Sequence, residues 1–217
     1  MTGQGVCVKL HNAKTRGLCR QLWVGSCGSA QGTPWGRDSE RHRVEQVLDP
    51  DCSAPKSVDE LERGVLGALD DLGVSYEIFP CDPAFADTAA FCERYDVAMQ
   101  DSANTIVVVG KGEPRRYVAC VVLATTRLDV NGVVRRHLGV RKVSFASAEE
   151  TNERTGMMIG GVTPFALPEE MPVWVDAQVV TRASIILGGG SRSLKVRVPP
   201  DTLTRLPNVE VIEGLAR

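Results

Sequence analysis

The chain has 217 residues, 43% of them apolar and 24% charged, ordinary for a soluble globular protein with one large domain or a domain plus an appendage. The formal charge of -2 is unevenly spread: residues 1–45 hold seven Lys/Arg against Asp38, Glu40 and Glu45, so they carry +4 and the remainder -6. An acidic body argues against broad nucleic-acid binding through bulk charge, DNA included, and leaves contact with one end of an RNA open. No apolar run approaches the length of a bilayer span, so no membrane partner is expected.

Residues 1–45 show neither helical nor strand periodicity and are rich in Gly, Ser, Cys and basic residues. They read as a flexible extension, or as translation begun upstream of the true start, with the domain proper over 46–217. Lys9, Lys14, Arg16 and Arg20 interrupt any secretory h-region. The seven cysteines form no C-x-x-C pair, which favours reduced thiols in a cytoplasm. Only Cys7 and His11 lie at a short ligand spacing, too little for zinc, and no metal or cofactor is expected.

From Ser57 the pattern sharpens. Ser57 and Glu60 make a capping box ahead of Leu61, Val65, Leu66, Leu69 and Leu72 at helical spacing, and Gly73 closes that helix. Val74–Phe79 alternates as a strand, and Asp87 or Thr88 caps a second short helix. Thr105–Val109 and Tyr117–Leu123 are apolar runs separated by a Gly-containing turn, which predicts an antiparallel pair buried on both faces. Asp129 caps a helix to His137, closed by Gly139; Lys142–Phe145 is a strand, and Ser147 with Glu150 opens another helix. Beyond a loop containing Gly160, Gly161 and Pro164, three strand-like runs follow at Val173–Asp176, Ser184–Leu187 and Leu194–Val198, then a closing helix or turn over Pro199–Leu206. Tight links between neighbouring strands predict an α/β (α+β) single domain: a curled, mixed, largely antiparallel sheet flanked by helices.

The chemistry is harder to place. The pair Gly160-Gly161 beside Thr163-Pro164 makes a stiff loop with a bare backbone, either a turn between strands or a cradle of N–H groups. Asn104, at the start of a buried strand, either satisfies a turn or offers its amide to a ligand. Lys195 lies opposite Leu194, Val196 and Val198 and reads equally as a solvated face or as a ligand-facing cation. Arg192, after Gly188-Gly189-Gly190, suits a phosphate contact or simple packing. No Ser/His/Asp set has recognisable spacing, and no Walker loop is present.

Four segments together resemble the YbaK-type family, the prolyl-tRNA-synthetase-associated editing domain: Ser102–Val109, Leu128–Gly139, Thr155–Pro164 and Gly188–Leu194. The resemblance implies a curled mixed sheet and metal-free hydrolysis of the ester of mischarged aminoacyl-tRNA, whose 3′ acceptor end is the partner. It places the aminoacyl group against Gly160, Gly161, Thr163 and Pro164, with Gly188 and Arg192 as further binding residues. Asn104 stands where the family carries its activity-linked lysine, and Lys195 where many members carry an acid. The pair Asn104 and Lys195 is therefore expected to hold the catalytic position, with the cation moved across the pocket if the two strands are neighbours. The alternative is a non-catalytic module that keeps the pocket for binding. A monomer or weak homo-oligomer is expected.

Overall fold

The computed structural model describes residues 57–217; the expectations for residues 1–45 and the zinc reading fall outside them. Helix α1 (Val58–Asp71) begins at Ser57, whose hydroxyl and backbone N–H exchange hydrogen bonds with Glu60, the predicted capping box. Leu61, Val65 and Leu69 form its buried stripe. Strand β1 (Glu77–Pro80) and α2 (Thr88–Tyr95) follow. The apolar runs become β2 (Ala103–Lys111) and β3 (Arg116–Leu123), paired antiparallel from Ala103↔Leu123 to Gly110↔Arg116. A turn of π-helix over Val130–Val134, capped by Asp129, runs into α3 (Arg135–Leu138), which Gly139 ends in the left-handed region. Then come β4 (Lys142–Phe145), α4 (Ala148–Thr155) with its Ser147–Glu150 capping box, and β5 (Val173–Asp176). Helix α5 (Ala177–Val180), β6 (Ile185–Gly188), β7 (Leu194–Val198), α6 (Asp201–Thr204) and β8 (Val209–Ile212) complete the described chain.

The strands fall into two hydrogen-bonded sheets, β4-β2-β3-β5-β8 and β1-β7-β6, where a single curled sheet is the sequence expectation. One parallel bridge, Ser102↔Ile186, links them. Pairing is antiparallel except for β3/β5 and β5/β8. Alternation sets the layers. Val107, Ala119, Val121 and Val175 face a core shared with α1 and with Ile185, Leu187, Val196 and Val198 of the smaller sheet. Val108, Val118, Cys120 and Trp174 face a second core under Val130, Val134 and Leu138. Burial pushes the Cys120 thiol up to about 12, as suits a core residue. A third cluster, Cys81, Ala86, Phe91, Cys92 and Ile186, packs α2 against the smaller sheet.

Candidate active site

The topology leaves a gap. On its outer edge β2 pairs with β4 only from Val108 to Lys111, and the bridge to β6 sits at Ser102. Between them the edge from Ala103 to Ile106 has no strand partner among the described residues. A cleft of about 360 Å³ opens there, roofed by the start of α2 and the loop at Ile159–Gly160.

Asn104, Gly160, Gly188 and Lys195 all line this cleft, whereas Gly161, Thr163, Pro164 and Arg192 do not. Gly161 is wedged against the segment after β6: its carbonyl accepts the Gly190 N–H at 2.8 Å, and an added Cβ would lie 2.1 Å from the Ser191 oxygen. A Cβ at Gly188 would lie 2.4 Å from the Gly161 oxygen, so these glycines are required by two backbones in contact. Thr163 is fully buried, and its hydroxyl has no partner among the described residues. Pro164 lines a separate cavity of about 420 Å³ with Leu72 and Leu206.

Lys195 is 6% exposed, which removes the solvated-face reading. Its Nζ donates to the Ala86 carbonyl at 2.8 Å and to the Gly160 carbonyl at 2.7 Å, and lies 5.7 Å from the Phe91 ring centroid. Burial pushes the ammonium below its ordinary 10.5, helped by nearby Arg192 and opposed by Cys81 and Asp87. Asp176 is not its counterion: that carboxylate accepts the Gln178 and Ala216 N–H groups. Nor are the strands of Lys195 and Asn104 hydrogen-bonded neighbours, because β6 lies between β7 and β2 and pairs with the segment leading into β2 only at the Ser102–Ile186 bridge. They converge because β7 and the open edge of β2 border one cleft.

Arg192 repeats the Lys195 arrangement on the same two loops. Its Nε and Nη2 donate to the Pro83 carbonyl at 3.1 and 2.9 Å, and its Nη1 to Ile159 O at 3.2 Å and Asp87 Oδ1 at 3.3 Å. Four of its five N–H groups thus hold protein acceptors. Together the two cations fix the successive carbonyls of Ile159 and Gly160. The Gly161 N–H is engaged by Met158 O at 2.9 Å, which leaves the Gly160 N–H as the donor of these two peptides with no described acceptor. Gly160 itself has φ +89, a conformation that glycine adopts without strain.

On the opposite wall the Thr88 hydroxyl donates to Asn104 Oδ1 at 2.6 Å, so the amide N–H groups of Asn104 remain available. Thr105 also lines the cleft, and its hydroxyl is buried without a partner among the described residues. Neither threonine carries a site signal in the sequence, because an edge gap created by distant pairings is invisible to local pattern. Phe145 (57% exposed) and Ile159 (49%) form an apolar rim.

The sequence profile described as "Aminoacyl-tRNA editing domain" matches residues 82–206, more than half of the chain. The chain is 24% identical over 111 residues, 51% of its length, to "Putative Cys-tRNA(Pro)/Cys-tRNA(Cys) deacylase EbsC" of Enterococcus faecalis (strain ATCC 700802 / V583), and the match spans 65% of that relative. In fold it is similar to a "putative trans-editing enzyme for prolyl tRNA synthetase" (TM-score 0.62, 23% identity, 72% of this chain and 98% of that one). It is likewise similar to the hypothetical protein APE2540 (TM-score 0.63, 22% identity, 71% and 99%). The chain belongs to the aminoacyl-tRNA editing domain family.

Proposed function

We propose that this protein is an aminoacyl-tRNA deacylase acting in trans, which seats the aminoacyl ester and terminal ribose of the 3′ acceptor end in the cleft at the open edge of β2. The observation that carries the reading is the convergence there of Asn104, the Gly160 loop and a buried lysine that has carbonyl partners and no paired carboxylate among the described residues.

The residues divide the work. The Gly160 N–H meets the ester carbonyl oxygen as it becomes an oxyanion, a type of contact that typically lowers a barrier by about 3 kcal/mol. Lys195 supplies a fixed positive charge beside it, strengthened by the dry surroundings. The Asn104 amide donates to the ribose or the carbonyl. Water forms the new bond to the carbonyl carbon, the ester C–O bond breaks, and the departing ribose oxygen takes the proton that water loses, relayed through the neighbouring ribose hydroxyl. No protein nucleophile takes part. Membership in an editing family favours hydrolysis over the alternative of a pure binding module.

No helix among the described residues is long and apolar enough to cross a membrane. We read the protein as a monomer or weak homo-oligomer working in the cytoplasm on the acceptor end alone. The test is deacylation by the full chain across tRNA(Pro) and tRNA(Cys), each charged with cognate and non-cognate amino acids. Loss of one mischarged ester well above the buffer rate is the expected result. A whole panel hydrolysed no faster than in buffer would reject the reading.

A further inference from the structure

Charge on the described chain is strongly polarised. The stretch 103–148 carries eight Lys/Arg against Glu113 and Asp129, while the rest of residues 57–217 carries nine Lys/Arg against twenty Asp/Glu. The basic stretch is brought together in space. Lys111 at the end of β2 and Lys142 at the start of β4 are direct cross-strand partners, and both are exposed. Like charges placed opposite each other in a sheet are destabilising. Arg141 precedes Lys142, and Arg135 and Arg136 are exposed on α3 just before it. Arg116 ties the parts together, its Nη1 donating to the Leu138 carbonyl at 3.0 Å.

Two nearby acids are committed elsewhere, Glu150 to Arg115 at 2.6 Å and Asp129 to Arg217 at 3.1 Å, and Glu113, in the β2–β3 turn, forms no ion pair with the patch among the described residues. None of Lys111, Arg135, Arg136, Arg141 and Lys142 has an ion-pair partner among the described residues, although the body around them is acidic. Five free cations, two of them held against one another, fit a polyanion. Strand β4 also connects the patch to the cleft: it starts at Lys142 and ends at Phe145 on the cleft rim, three residues or about 10 Å away.

We propose that Lys111, Arg141 and Lys142, flanked by Arg135 and Arg136, are the docking surface for the RNA backbone, and hold acceptor-stem phosphates while the esterified end enters the cleft. The surface reads charge and duplex shape and carries no base code, as is common for double-stranded RNA. This rests on the deacylase reading, and its test separates the two.

The full chain and its triple variant K111Q/R141Q/K142Q are titrated with an unacylated tRNA transcript over a range of salt, and both are assayed on an aminoacylated CCA trinucleotide that lacks the stem. R63Q, which removes an exposed cation from α1, is the control. The triple variant should flatten the slope of log affinity against log salt by about two and weaken tRNA binding roughly tenfold or more, with trinucleotide hydrolysis and the R63Q slope unchanged. An unchanged slope in the triple variant, or an equal loss in R63Q, overturns the surface, as does a wild type that does not bind the transcript. If the slope falls as expected but the wild type hydrolyses no ester, the docking surface stands and the hydrolytic reading fails.

Discussion

Two groups of cations in this protein are treated in opposite ways. Arg192 and Lys195, on and just before β7, are bonded to the backbone carbonyls of Pro83, Ala86, Ile159 and Gly160, and stitch two loops over the cleft. Lys111, Arg141 and Lys142, at the far end of β2 and the start of β4, are exposed, the two lysines directly opposite each other, and none has an ion-pair partner among the described residues. The first group builds the pocket, and the second is left for something outside the protein. Charge that is desolvated and hydrogen-bonded holds geometry; charge that is solvated and repelled steers and docks a polyanion.

Removing the deep clamp should have the largest effect. Lys195→Met leaves the Ala86 and Gly160 carbonyls without their donor, each costing about 1–3 kcal/mol, so we expect a loss of about 2–3 kcal/mol in chemical denaturation. An unchanged midpoint would show that the clamp holds nothing. The pH dependence of that difference is a second check. Burial favours the neutral amine in the folded state, so the unfolded chain binds more protons between the lowered pKa and 10.5. The stability of the wild type relative to Lys195→Met should therefore rise as pH climbs through that window. A difference that falls instead would mean the ammonium is favoured by its surroundings.

Arg192→Gln should cost less, about 1 kcal/mol, because its bonds lie nearer the surface and water can replace them. It should lower kcat more than it raises KM, since it acts through the Ile159–Gly160 peptide. The smallest effect belongs to the free group: Lys142→Gln relieves the repulsion from Lys111 and should shift stability by about 0.5 kcal/mol or less, towards greater stability. A clear loss of melting temperature would place Lys142 among the structural cations.

Much of this architecture could be read from local pattern. The capping boxes at Ser57–Glu60 and Ser147–Glu150, the β2–β3 pair and the Gly139 stop are written in short-range chemistry and stand as predicted. Strand β8 leaves little local signal, because it is four residues long and pairs in parallel with β5, far away in sequence. The division into two sheets is set by long-range pairing for the same reason, and with it the open edge that forms the cleft. Lys195 illustrates the limit most plainly. Alternation put it opposite the apolar residues of β7 but could not show that α2 covers that face, or that Ala86 and Gly160 would supply its acceptors.

The most direct measurement of the whole account compares steady-state hydrolysis of two substrates, a mischarged aminoacyl-tRNA and the matching aminoacylated CCA trinucleotide, by the wild type, Lys195→Met and Lys142→Gln at a temperature where all are folded. Lys195→Met should lower kcat on both substrates, and Lys142→Gln should raise KM on the tRNA alone. Equal losses on both substrates for Lys142→Gln, or an unchanged kcat for Lys195→Met, would contradict it.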